Sequence, residues 1–117
     1  MSSATYIVGG LRTAIGKFGG SLLTESAVSL ADTVNAALLA RYNLKSEDVD
    51  GLILGNVLQA GLGQNIARQV LLERFQEDKT AYTVNMVCGS GLQAIVNASQ
   101  SISCGQGNVI DRKSTRL

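Results

Sequence analysis

The sequence predicts an α/β fold, a mostly parallel sheet with helices laid over it, and three observations carry that expectation. Strand-like and helix-like stretches alternate along the 117 residues, in the order strand, helix, strand, helix, strand, helix. The run at 51–58, GLILGNVL, is continuously apolar instead of alternating, which suits a strand covered on both faces. Apolar residues make up 45% of the chain and charged residues 16%, enough for the core of one modest domain and unlike a disordered composition.

Residues 5–11 read as a short apolar strand, and Gly16, Gly19 and Gly20 turn the following stretch into a loop. Lys17 in that loop has no surrounding G-x-x-x-x-G-K-[ST] pattern, which favours a solvated lysine over a phosphate ligand. Residues 26–42 follow helical spacing, with Ala27, Leu30, Ala31, Val34, Ala37, Leu38 and Arg41 on one face. Thr24 or Ser26, with Glu25, supplies the cap and negative charge at its start. An acidic connector, 46–50, leads into the second strand at 51–58. Gly61 and Gly63 open a loop, and 64–75 read as a helix with Ile66, Ala67, Val70, Leu71 and Phe75 inward. Gln64, Asn65, Arg68 and Gln69 put polar side chains at that helix's start, where they suit either open surface or a subunit interface.

The most informative stretch is 81–105, AYTVNMVCGSGLQAIVNASQSISCG. It opens with a third strand, 81–87, read as buried on both faces, and continues as a helix over 91–102 with Leu92, Ile95, Val96, Ser99 and Ile102 inward. Cys88 falls where the carboxyl end of the strand meets the amino end of the helix. Free N–H groups and the helix dipole favour negative charge there, so a thiolate, and with it a nucleophile, is favoured at Cys88. Gly89, Ser90 and Gly91 shape the turn, letting the backbone be approached closely and leaving the Cys88 N–H as an oxyanion donor. Two other readings stand beside this one. A buried cysteine often serves only as a small hydrophobe. Residues 89–94 also fit G-x-G-x-x-A, the dinucleotide fingerprint, although the strand before it is the third of the chain and Asp111 is the only acidic residue at the expected distance beyond it.

The segment VNMVCGSGLQAI, 84–95, resembles the nucleophile segment of the thiolase family, the acetyl-CoA C-acetyltransferases in particular. IVGGLRTAIGKFGG at 7–20 resembles the family's opening strand and loop, and DGLILGNVLQAGLGQNIARQ at 50–69 its second strand and interface segment. Three blocks in order over about residues 6–110 make a specific match. The resemblance implies a thiolase-like layered fold, present as an incomplete N-terminal half-domain. It implies an acyltransferase that moves acyl groups between coenzyme A thioesters through an acyl-cysteine at Cys88, condensing two acetyl-CoA or running in reverse. Coenzyme A thioesters would then be substrates, with no permanently bound cofactor and no metal, and the full protein would be a homo-oligomer whose contact includes Gln64, Asn65, Arg68 and Gln69. The alternatives are a condensing enzyme of the ketoacyl synthase type, or a non-catalytic truncated product; which residues would grip coenzyme A is unknown.

Several features bound this expectation. The chain has no histidine, so no imidazole base for a thiol lies within it, and no proline, although the resemblance leads one to expect proline where Ala14 and Ile66 stand. Cys88 and Cys104 lie about 24 Å apart if one helix joins them, too far to pair, which fits a reducing cytoplasm. Cys104 reads as a structural thiol. A net charge of +1 without basic clusters argues against nucleic acid, and the apolar runs are too short to span a membrane. Residues 1–10 lack the pattern of a signal peptide. Residues 111–117, DRKSTRL, break the fourth apolar run as a charged, structureless tail. They are also one possible translation of GATCGGAAGAGCACACGTCTG, which resembles an adapter used in preparing DNA libraries. The expected division is therefore 1–110 as partial domain and 111–117 as non-native tail. Setting aside Asp111, Arg112, Lys113 and Arg116 leaves seven basic against eight acidic residues, a net charge of −1. By itself the 117-residue chain is expected to be inactive.

Overall fold

The computed structural model describes residues 4–115. Their elements run α1 (Ala27–Arg41), a 3-10 turn (Ser46–Asp48), β1 (Gly51–Asn56), α2 (Ile66–Arg74), β2 (Thr80–Val84), α3 (Ser90–Ser103) and β3 (Ile110–Thr115). The three strands form one parallel sheet in the order β2-β1-β3, with Gly51 of β1 in register with Thr80 on one side and Ile110 on the other. The expected α/β architecture with a parallel sheet is thus present.

β1 explains the layering. All six of its residues are buried, and because successive side chains of a strand point to opposite faces, Leu52 and Leu54 enter one core while Ile53 enters another. The first core joins Leu52 and Leu54 to Ala27 and Ala31 of α1 and to Ile66, Ala67, Val70 and Leu71 of α2. The second packs Ile53 against Ala94 and Ala98 of α3. A continuously apolar run was the right signal for a strand covered on both sides.

Local chemistry fixes the helix ends. Ser26, of the two candidates, caps α1: its hydroxyl accepts from the Ser29 N–H at 3.0 Å, while Ser29 Oγ accepts from the Ser26 N–H at 3.0 Å. Asn65 caps α2 from a left-handed conformation, φ 40°. Arg74, in the last turn of α2, forms a two-pronged pair with Asp32 of α1 at 2.7 and 3.0 Å, pinning the two helices together.

Five expectations give way. Residues 5–11 form no strand: both edges of β1 are taken, by β2 and β3, the segment pairs with neither outer edge, and Tyr6, Ile7 and Val8 are left exposed. β2 is shorter than 81–87 and lies at the sheet edge, so it is only half-buried instead of covered on both faces. α1 turns Ala27, Ala31 and Asn35 inward and leaves Ala37 and Arg41 exposed, because its packing partner α2 crosses nearer its amino end, where Asp32 meets Arg74. α3 buries Ser90, Ala94 and Ala98, while Leu92 and Val96 face solvent. The tail is not structureless, since Ile110–Thr115 pairs along the whole of β1. A register anchor precedes that pairing: the Asp50 carboxylate accepts the N–H groups of Asn108 and Val109 at 2.7 and 3.1 Å, while the Asp50 N–H donates to the Val109 carbonyl at 2.8 Å.

A cavity of about 710 Å³ lies between residues 5–13, α1 and the second half of α3, with Ile7, Val34, Leu38, Ile95 and Ile102 among its lining. Asn35, 1% exposed, reaches this cavity with both amide atoms lacking a hydrogen bond. Cys88, the cysteine that the sequence singles out, is not among its walls.

Candidate functional site

The site is the turn between β2 and α3. β2 ends at Val84, and the chain reverses over Asn85, Met86, Val87, Cys88 and Gly89 before α3 begins at Ser90. Gly89 is the N-cap of α3, which sets Cys88 immediately before the helix, with its side chain exposed. This is the strand-to-helix junction that the sequence predicts for Cys88.

The turn is built more tightly than its glycines suggest. The N–H groups of Gly89 and Ser90 donate to the carbonyls of Met86 and Val87 at 3.0 and 3.1 Å, so they are not the groups left over for a ligand. The Cys88 N–H takes no hydrogen-bond partner among the described residues, and it remains the donor available beside the sulfur. Gly89 has an ordinary helical φ of −82°. The left-handed residue is Val87, φ 49°, a β-branched residue in a region such residues rarely enter. Gly89 matters through space instead, because a Cβ there would come within 3.1 Å of the Met86 methyl and 3.3 Å of the Met86 carbonyl.

Three polar contacts hold the turn. The Met86 N–H donates to Ser90 Oγ at 2.9 Å, and the Ser90 hydroxyl donates to the Val87 carbonyl at 2.6 Å. The Val87 N–H donates to Asn85 Oδ1 at 3.0 Å. Below the turn Gly55 of β1 lets α3 come close: a Cβ at that position would lie 2.7 Å from the carbonyl carbon and oxygen of Ser90 and 2.8 Å from the Gly91 nitrogen. This contact accounts for the rotated face of α3, since only the small side chains Ser90, Ala94 and Ala98 fit against β1 at such a distance. It also accounts for the G-x-G-x-x-A pattern, whose last position, Ala94, is fully buried against the sheet. Sequence reasoning passed over Asn85, Val87 and Gly55. The available signal was Asn85, the one fully polar residue in the run 81–87.

The polar group at the start of α2 works within the chain. Asn65 Nδ2 donates to the Ala81 carbonyl at 3.1 Å and Asn65 Oδ1 accepts the Thr83 hydroxyl at 3.1 Å, tying the start of α2 to β2. Arg68 Nη1 donates to the carbonyls of Glu77 and Lys79 at 2.8 and 3.1 Å. Gln69 Nε2 donates to those of Leu62 and Gln64 at 2.8 and 3.0 Å, and Gln64 itself is exposed. Asn65 thus braces the strand that delivers Cys88, while Arg68 and Gln69 hold the loops on either side of α2. Cys104, also exposed, caps the far end of α3. Among the described residues no three acidic or sulfur side chains converge as a metal site would need.

Comparison with known proteins agrees with this architecture. The family model for the thiolase N-terminal domain matches residues 5–110. An acetyl-CoA acetyltransferase of Escherichia coli K12 is 51% identical over 105 residues, 89% of this chain and 27% of that protein. One from Candida albicans is 47% identical over 113 residues, 94% of this chain and 28% of its own length. The chain thus spans little more than a quarter of the curated relatives it matches. A crystal structure of the Acat5 thiolase from Ascaris suum in complex with coenzyme A superimposes with a TM-score of 0.70 at 39% identity, covering 75% of this chain and 23% of that one. With a matched domain over most of its length and the same fold beneath it, the chain belongs to the thiolase family.

Proposed function

We propose that the protein containing this segment is an acyltransferase that moves acetyl groups between coenzyme A thioesters, with Cys88 as nucleophile. One observation carries the reading: within the matched thiolase domain, Cys88 stands exposed at a strand-to-helix turn beside an unpartnered N–H. The Cys88 thiolate attacks the acyl-CoA carbonyl carbon, forming a new carbon–sulfur bond, while the Cys88 N–H stabilises the oxyanion. Collapse breaks the bond to coenzyme A, which leaves as a thiolate and takes up a proton. A second acyl-CoA, deprotonated at its α-carbon, attacks the acyl-cysteine, and the Cys88 thiolate is released as acetoacetyl-CoA forms. The base for that deprotonation comes from residues beyond these 117, which include no histidine.

Gly89, Ser90 and Gly91 shape the approach, and residues 111–117 take no part in the chemistry. The whole protein works as a homo-oligomer whose contact includes Gln64, Asn65, Arg68 and Gln69, of which Gln64 and Asn65 are exposed. Two exposed, unpaired cysteines suit a reducing, cytoplasmic setting.

Two experiments test the reading. In the completed protein, Cys88→Ala should abolish thiolysis of acetoacetyl-CoA, and turnover with two acetyl-CoA but not with malonyl-CoA separates this activity from a decarboxylating condensing enzyme. A Cys88→Ala enzyme with undiminished rate removes Cys88 from the mechanism. For the 117-residue chain, incubation with acetyl-CoA followed by peptide mass spectrometry should show any acetyl group on Cys88 and no catalytic turnover.

A further inference from the structure

We infer that Ser90 and Asn85 are positioning residues, whose side chains hold Val87 in its left-handed conformation and thereby set Cys88 at the mouth of α3. The inference rests on the proposed nucleophilic role of Cys88 and adds to it the device that aims the sulfur.

The argument starts from the backbone. A β-branched residue at φ 49° is a genuine outlier, because its Cβ substituents crowd the neighbouring peptide groups. Such a conformation persists only where surrounding contacts over-determine it. Val87 is 64% exposed, so packing of its own side chain does not supply them. Hydrogen bonds do, from both sides of the residue. Its N–H is held by Asn85 Oδ1 at 3.0 Å, and its carbonyl accepts both the Ser90 hydroxyl at 2.6 Å and the Ser90 N–H at 3.1 Å.

Ser90 is the centre of this clamp. It is 3% exposed, its Oγ accepts from the Met86 N–H while donating to the Val87 carbonyl, and its backbone rests against Gly55. One hydroxyl therefore spans the turn from the residue before Val87 to the first residue of α3, with the buried sheet behind it. Asn85 continues the chain of contacts, its Nδ2 donating to the Val57 carbonyl at 3.4 Å just past the end of β1. If Val87 relaxed to a negative φ, the chain would continue outward from β2, and Cys88 would leave the position immediately ahead of the helix.

The clamp explains why glycine is absent at the one position of the turn with a positive φ. A glycine at 87 would reach that conformation without the clamp and keep Cys88 aimed, but at the cost of a larger loss of backbone freedom on folding. Valine with two flanking hydrogen-bonding side chains gives a single arrangement.

The test uses the 117-residue chain with Cys104 as internal reference. Two quantities are read: amide hydrogen exchange at Met86, and the alkylation rate of Cys88 relative to Cys104 by iodoacetamide with peptide mass spectrometry. In Ser90→Ala the Met86 amide should exchange faster by about tenfold, as loss of one ordinary hydrogen bond allows. The Cys88:Cys104 ratio should move toward its value in denaturant. Adding Val87→Gly to Ser90→Ala should restore the ratio, because glycine takes the left-handed conformation unaided, while Met86 stays unprotected. A role confined to general stability would not produce that split. Asn85→Ala, at an exposed residue, serves if Ser90→Ala does not fold, and should shift the ratio in the same direction. The inference is overturned if Ser90→Ala leaves Met86 protection and the ratio unchanged, or if Val87→Gly does not restore the ratio. A parent chain whose ratio already equals the denatured one, with Met86 still protected through Ser90, counts against the preset nucleophile and leaves the clamp standing.

Discussion

At the scale of single residues, the close approach of α3 to β1 depends on the missing side chain at Gly55. The atoms a Cβ would meet there are backbone atoms of Ser90 and Gly91, which cannot swing aside as a flexible side chain would. Gly55→Ala should therefore lower stability by about 1–3 kcal/mol, read by urea unfolding, because the whole helix has to retreat. An unchanged midpoint would mean that α3 sits farther out than described. Asp50 gives a pH dependence. Hydrogen bonds from the N–H groups of Asn108 and then Val109 hold its carboxyl below the ordinary carboxylate value, against a small opposing effect of burial. A depressed folded-state value means stability that is present at neutral pH and lost as the pH falls through that value, below about pH 4. Wild-type chain should lose more stability between pH 6 and 3 than Asp50→Ala does, measured by thermal unfolding at each pH. Equal losses would show that the anchor is not formed in solution. At this scale Cys88 was legible from the sequence and Val87 was not, because glycines in a motif draw the eye to themselves as the sites of unusual backbone. Here the hydrogen bonds of Asn85 and Ser90, invisible in a string of letters, permit the unusual conformation next door.

At the scale of elements, β1, α1 and α2 were readable because each announces itself locally: a continuous apolar run, a capping serine, an apolar stripe at helical spacing. The burial of α3 was not readable, since Leu92 and Val96 are as apolar as Ala94 and Ala98 and the choice between faces is made by Gly55, on another element. Likewise the strand propensity of residues 5–11 says nothing about whether a sheet edge is open to them. The α1–α2 contact offers a quantitative test. Arg74 and Asp32 are 39% and 24% exposed at their side chains, so solvent screens the pair, and the raised affinity of the Arg74 guanidinium for its proton comes chiefly from its hydrogen bonds to Asp32. Arg74→Ala should cost less than about 1 kcal/mol. Leu54→Ala, emptying a fully buried site in the core between the sheet and those helices, should cost about 2–5 kcal/mol. Comparable losses for the two would mean that the ion pair, and not the apolar core, fixes the helix pair.

At the scale of the whole molecule, the sheet is a contest for the edges of one strand. β3 occupies the edge of β1 through residues 110–115, while Tyr6, Ile7 and Val8 lie exposed beside a cavity whose wall includes the unsatisfied amide of Asn35. A chain ending at Ile110 frees that edge, and the tethered segment 5–11 competes for it at a higher effective concentration than any second molecule. Protection from hydrogen exchange should then appear at amides 6–11. Unprotected amides, or association of the shortened chains through the open edge, would show that the segment has no affinity for β1. Parallel pairing has one more consequence, for the order of events during synthesis. Gly51 must wait for Thr80 on one side and for Ile110 on the other, whereas α1, β1 and α2 can collapse together as soon as residue 75 has emerged. With translation adding about 5–20 residues per second, β1 spends seconds with its last edge unpaired on the ribosome. During that interval GLILGN is extended apolar backbone on offer to other chains, before the helix that follows Cys88 has closed over it.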